Sequence, residues 1–182
     1  MGSVSSAAVI SIYEALVPTL ARRVYANRFT AGAKTFFHLY NSTGKDYSGP
    51  VLKIVQPAGH HLFDMLRCQE LAAGGNTPAV ELTLKKDDVA CLALLPSLLK
   101  TKRAGNLLRV SAKLNLNAQQ FSVCGLDGGP LRVQDLKEGE NLIDLSLVPK
   151  ARAPAPDALK QLNSQGLLLD IVGIEQANHV QQ

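Results

Sequence analysis

Two hydrophobic periods follow one another along the chain. Val9, Ile12, Tyr13, Leu16 and Val17 recur at offsets of three, four, seven and eight, the apolar stripe of a helix. Ser5 or Ser6 can cap that helix and Pro18 ends it, so residues 1–20 are expected to hold a terminal remnant followed by one amphipathic helix. From Val24 the period falls to two. Val24, Ala26 and Arg28 oppose Tyr25, Asn27 and Phe29, and Thr30-Ala31-Gly32-Ala33 turns the chain into a second run, Lys34 to Asn41. In that run Phe37, Leu39 and Asn41 face one way and Phe36, His38 and Tyr40 the other. Bulk on both faces marks a central strand.

Further strands are expected at Pro50 to Gln56, His61 to Arg67, Ala79 to Leu84 and Val89 to Leu95, separated by Gly, Pro, Asn and Asp clusters. Leu98 to Gly105, with Lys100-Thr101-Lys102-Arg103, is polar enough to be a boundary. Beyond it come Leu107 to Leu116, Phe121 to Cys124, Leu131 to Val133, Asn141 to Val148 and Gly166 to Glu175. Pro149 to Pro156 reads as an extended loop, Asp157 to Leu162 as a short helix, and Ala177 to Gln182 as a fraying end. Strands spaced by about ten residues with no full helices between them suit a sandwich or barrel rather than βαβ units. The expected fold is mainly β: two small tandem antiparallel β-sandwiches of immunoglobulin-like or jelly-roll type, over residues 21–99 and 106–182, with a linker at 100–105. One merged sandwich is the alternative.

Composition narrows the function classes. At 182 residues, 46% apolar and 19% charged, the chain has the profile of a folded globular protein. The net charge of +4 is dispersed, with short basic clusters at Arg22-Arg23, Lys85-Lys86 and Lys100 to Arg103. No aromatic residues are interleaved with these clusters and tryptophan is absent, which argues against nucleic acid as a partner. Cys68, Cys91 and Cys124 form no CxxC pair and read as reduced thiols. No stretch approaches a membrane span and Met1 to Ser6 lacks the order of a secretory signal, so a soluble chain of unassigned location is expected. Met1-Gly2-Ser3-Val4-Ser5-Ser6 formally fits a myristoylation pattern, but a tag remnant is the plainer reading.

Catalytic signatures are missing: the chain holds no GxSxG, P-loop, HExxH or GxGxxG. His60 and Asp64 share one side of an extended segment and are candidate metal ligands, against the plainer reading of a turn-edge histidine pair. Asp127, in the turn Asp127-Gly128-Gly129-Pro130, and Asp135, with Glu138, Glu140 and Asp144 nearby, could offer oxygens to a structural calcium ion, the single cofactor considered. Asn41-Ser42-Thr43 fits the N-glycosylation pattern, although turning the chain is the simpler role. Tyr25, Tyr40 and Tyr47 are the candidates for stacking on sugar rings, with ordinary core or edge packing as the alternative.

From Leu16-Val17-Pro18-Thr19-Leu20 through Val24-Tyr25-Ala26-Asn27-Arg28-Phe29 to Lys34-Thr35-Phe36-Phe37-His38-Leu39-Tyr40-Asn41-Ser42-Thr43, and on through Gly49-Pro50, Pro57-Ala58-Gly59 and Val80 to Leu92, the chain resembles the non-catalytic C-terminal β-sandwich regions of glycoside-hydrolase-like proteins. The resemblance covers residues 16–95, and residues 96–182 resemble no family. It implies a non-enzymatic accessory module that packs against or orients a catalytic domain of the same parent chain. The alternative it leaves open is a carbohydrate-binding module that uses tyrosine stacking. It carries over no catalytic residue.

Overall fold

A computed structural model describes residues 11–71, 79–113, 118–124, 130–135, 137–147, 158–163 and 168–174. In chain order the strands are β1 (Ser11–Glu14), β2 (Val24–Ala31), β3 (Lys34–Asn41), β4 (Tyr47–Lys53), β5 (His60–Asp64), β6 (Gln69–Leu71), β7 (Ala79–Leu84) and β8 (Val89–Pro96). They continue with β9 (Leu99–Ala104), β10 (Leu107–Ala112), β11 (Ala118–Cys124), β12 (Pro130–Asp135), β13 (Gly139–Asp144), β14 (Ala158–Asn163) and β15 (Leu168–Gly173). Among the described residues the helical content is one 3-10 turn, Leu145–Leu147. The protein is mainly β, with antiparallel sheets.

Two compact units share the chain, one of Met1–Gln56 and Ala72–Leu94, the other of Pro57–Leu71 and Leu95–Gln182. Each is therefore discontinuous in sequence. Residues 100–105, expected as a linker, instead form most of β9 and the start of its turn into β10, with Leu99 to Ala104 paired against Leu107 to Ala112. The polar look of Lys100-Thr101-Lys102-Arg103 belongs to a strand with one solvated face: Leu99 is buried and Lys100 and Lys102 are exposed.

In the first unit β1, β2, β3 and β8 pair in that order. Gly32 takes φ +60 at the first central position of the two-residue β2–β3 turn, a conformation a side-chain-bearing residue adopts at a cost. The register that follows sets Val24 opposite Asn41, Ala26 opposite Leu39 and Arg28 opposite Phe37. Val24, Ala26, Phe37 and Leu39 are buried, as are Ala90 and Leu92 on β8. The core of the unit also takes Val51 and Leu52 from β4 and Val80, Leu82 and Leu84 from β7, the two strands of a second ladder. β3 lies between β2 and β8, as its bulk on both faces requires.

The expected N-terminal helix is not formed where the chain is described. Ser11 to Glu14 is strand β1, laid along β2 from Ala31 to Arg28. Leu16 takes φ +52, its N–H donates to Asn27 Oδ1 and the Val17 N–H donates to the Ala26 carbonyl. Of the described residues of the proposed stripe, Ile12, Tyr13 and Leu16 are 58–67% exposed and Val17 is buried. The edge of β2 offers ladder hydrogen bonds that a short helix with an unburied stripe cannot match. The rest of that helix, residues 1–10, lies outside the described residues, as do the Pro149–Pro156 loop and Ala177–Gln182.

In the second unit β9, β10 and β13 form one antiparallel sheet and β12, β11, β14 and β15 another. Its core joins Leu99, Leu108, Val110 and Ile143 to Leu159, Val172 and Ile174. The short helix expected at Asp157 to Leu162 is instead β14, a strand with a partner on each side, β11 and β15. Ala158, Leu159 and Gln161 are buried on both faces, so pairing on two edges overrides the helix-compatible composition.

Asn41 closes the first unit's central ladder and is fully buried. Its Nδ2 donates to the carbonyls of Lys45 (2.9 Å), Leu84 (3.3 Å) and Lys85 (2.7 Å), and its Oδ1 accepts from the Thr43 N–H (3.1 Å). The Asn41-Ser42-Thr43 pattern thus serves as a turn staple, with the amide nitrogen occupied. Replacing Asn41 by Ala strands these carbonyls, and Asn41→Asp replaces the donor with an acceptor. Each variant is expected to cost about 2–3 kcal/mol in urea unfolding. A loss below about 0.5 kcal/mol would show that the carbonyls find other donors.

Candidate functional site

The alternation that buries one face of β2 and β3, Phe37 included, lifts Tyr25, Phe29, Phe36 and Tyr40 onto the other. Tyr25 stands directly opposite Tyr40, Asn27 opposite His38 and Phe29 opposite Phe36. Tyr25 is 47% exposed and Tyr40 42% exposed. β1 extends the row: the Tyr13 ring lies 4.9 Å from that of Phe29, which lies 4.9 Å from the imidazole of His38. β8 adds Val89, exposed and opposite Tyr40, and Cys91, opposite His38. Four strands of the first unit therefore present one aromatic surface, with Tyr25 and Tyr40 paired on it.

Beside Tyr25 the surface dips into an open cleft of about 330 Å³, lined among others by Leu16, Pro18, Arg22 and Arg23. The cleft is shaped by a tight turn in which the Val24 N–H donates to the Ala21 carbonyl, at 3.2 Å, with the two arginines at its central positions. Thr19 Oγ1 lies 2.7 Å from the Val24 carbonyl and 3.1 Å from the Ala21 carbonyl, bracing that turn from inside. A larger hollow of about 680 Å³ in the same unit is lined by Val17, Phe37, Ile54 and Leu94, with Lys53 at its rim. Arg28 also lines it, paired with Glu14 across the β1–β2 ladder.

The residues proposed from sequence separate in the structure. Tyr25 and Tyr40 come together. Tyr47 belongs to the β4–β7 ladder, where its hydroxyl donates to the Pro50 carbonyl at 2.8 Å, so it lies apart from the paired tyrosines. His60 and Asp64 do not assemble a metal site: His60 Nδ1 sits 3.5 Å from the Ala58 carbonyl, while Asp64, 1% exposed, is engaged elsewhere. Its Oδ1 accepts from the Leu66 and Arg67 N–H groups and its Oδ2 pairs with the Arg67 guanidinium at 2.9 Å. Asp127 lies outside the described residues, and Asp135 is exposed on β12. Glu140 pairs with Arg109, and Asp144 Oδ1 accepts from Ser146 N–H and Oγ. Among the described residues no three histidine, cysteine or acidic side chains converge as metal ligands.

Sequence reasoning missed a buried polar cluster in the second unit. His61 on β5 and Asp170 on β15 meet at 2.6 Å, Nε2 to Oδ1, although 109 residues separate them. Asp170 is fully buried and also accepts from the N–H groups of Leu98, Leu99 and Ile171, each at 2.7 Å. His61 Nδ1 faces Glu70 at 3.6 Å. Both imidazole nitrogens are thus directed at carboxylates rather than at a hydroxyl or thiol. The arrangement holds a charge in place; it activates no nucleophile. An Asp in an apolar strand and a His beside a turn gave no local signal of this pairing.

Burial works to lower the pKa of His61, but the hydrogen bond and charge of Asp170 and the charge of Glu70 outweigh it, so the imidazole titrates above its ordinary 6.5. The folded value lies above the unfolded one. The stabilisation is therefore complete below about pH 6.5 and is lost as pH rises through the folded value. The stability gap between wild type and His61→Gln is expected to be widest near pH 6 and to narrow towards pH 9; a gap independent of pH would mean that His61 carries no charge. Asp170→Asn, which leaves three N–H groups and the imidazole facing an amide, is expected to cost about 3 kcal/mol or more.

Compared with models of known protein families and with curated protein sequences, the chain matches none.

Proposed function

We propose that this chain is a non-catalytic module of a carbohydrate-active protein, built of two small antiparallel β-sandwiches, and that it binds carbohydrate on the face carrying Tyr25 and Tyr40. The observation that carries this reading is the pairing of those two tyrosines, directly opposite in register and each more than two-fifths exposed. Burying a large aromatic ring stabilises a fold, so two adjacent rings left in solvent on a regular sheet forgo that gain. Their flat faces and hydroxyl edges suit pyranose rings, whose axial C–H groups pack on aromatic faces while their hydroxyls hydrogen-bond at the rim. A rigid sheet holds the pair without the ordering cost that a loop would bring to binding.

A second reading rests on different side chains. Leu16, Leu20 and Val89, 67%, 45% and 50% exposed, would suit packing against a catalytic domain of the parent chain. That contact would orient the domain without binding sugar.

The two readings part on soluble glycans. In affinity electrophoresis through gels containing β-glucan, xylan or pectic polysaccharide, the wild-type chain is expected to be retarded by at least one. Tyr25→Ala and Tyr40→Ala should each weaken that retardation by about 5- to 10-fold, the loss of one stacking contact, and Tyr25→Phe should retain most of it. Retardation that survives the double alanine variant would remove the tyrosine face from the account, and no retardation by any of the three would favour the packing role.

A further inference from the structure

The cleft beside Tyr25 carries a charge and a strain that stacking on a neutral sugar does not call for. Arg22 and Arg23 occupy the centre of the Ala21–Val24 turn, and both are exposed. Neither has a carboxylate within ion-pair distance among the described residues. Asp87 Oδ1 lies 3.5 Å from the Tyr40 hydroxyl, in a turn that also carries Lys85 and Lys86, both exposed.

Strain points to the same place. Among the described residues four other than glycine take positive φ, and two of them, Leu16 (+52) and Arg23 (+63), line this one cleft. The second central position of a turn with positive φ is where glycine or asparagine is favoured, and a long charged residue there costs of order 1 kcal/mol. Glycine would hold the turn more cheaply. Arg23 thus lines the cleft at the expense of backbone strain, and strained positions of this kind cluster at binding sites.

We propose that the cleft lined by Arg22, Arg23 and Tyr25 is a subsite for the carboxylate of an acidic sugar, so that the ligand of the tyrosine face is a uronate-containing glycan rather than a neutral one. The inference rests on the carbohydrate reading above and names the substrate class for it. The sugar ring lies on Tyr25, and its carboxylate accepts from the guanidinium groups, whose planar forks match carboxylate geometry. A cleft of about 330 Å³ is at the lower end of the range for small-molecule sites and suits an end or branch sugar rather than an extended segment.

The test uses oligogalacturonate and its fully methyl-esterified form, which differ in charge and share a backbone, with isothermal titration calorimetry as the readout. Wild-type protein is expected to bind the acid at least tenfold more tightly than the ester, with the preference shrinking as NaCl is raised. Arg22→Gln and Arg23→Gly should each reduce affinity for the acid about tenfold. Arg23→Gly should do so while leaving the melting temperature unchanged or raised, because glycine relieves the turn; a purely structural arginine would not give that opposition.

The wild-type preference and its salt dependence decide the matter even if a variant folds poorly. Equal affinity for acid and ester overturns the acidic subsite and leaves the carbohydrate reading in place. Binding to neither form, nor to any glycan retarding the protein in gels, overturns both. Binding of a single-stranded oligonucleotide in place of either glycan would also overturn both, assigning the stacking face and its arginines to nucleic acid.

Discussion

The register between β2 and β3 is the constraint on which the first unit depends. A strand's side chains alternate between faces, so a one-residue slip of β2 against β3 would send Val24 and Ala26 into solvent and turn Tyr25 into the core, away from Tyr40. The two-residue turn at Gly32-Ala33 holds that register at one end, and the Asn41 amide, bonded to three carbonyls beyond the strand, holds it at the other. Core and aromatic surface are two consequences of one alignment. A surface specified in this way is as ordered as the core beneath it, and that order makes exposed rings serviceable for recognition.

A different device organises the second unit. Its strands come from distant parts of the chain, and Asp170 gathers β5, the start of β9 and its own strand around one buried carboxylate. A fully buried carboxylate is costly unless its lone pairs are occupied, and here four donors converge on it. The cluster favours the one arrangement in which all four are supplied. The chemistry is that of a structural clasp, with a histidine as one of its four donors.

Strain and charge are distributed with similar economy. Gly32 and Gly105 take positive φ at hairpin turns, where the conformation is required and glycine supplies it readily. Arg23 meets a comparable requirement with a residue that does not suit it. Natural sequences tolerate such local conflicts mainly where function depends on the side chain, and the conflict at Arg23 lies beside the exposed tyrosine pair.

Alternation over six to eight residues was enough to place β2, β3 and β7, and an apolar run to place β8, with the sides of β2 and β3 that carry Tyr25 and Tyr40 each set within its own strand, because sidedness along a strand is a local property. Strands β1, β9 and β14 were obscured. Their own residues read as a helix stripe, a polar linker and a short helix, and ladder hydrogen bonds to strands elsewhere in the sequence outweighed those preferences. The exposed aromatics could be named as candidates from sequence, but Tyr47 could not be separated from Tyr25 and Tyr40 without knowing which strands pair. The bond between His61 and Asp170 was beyond reach, because two residues 109 positions apart acquire a relationship only when the chain closes around them. By itself the sequence determined the β class and the two faces of its most regular strands, since both follow from the period of side chains along an extended backbone. Tertiary structure decided which strands are neighbours, which tyrosines share a surface and which charges are buried, since each depends on contacts that no local pattern encodes.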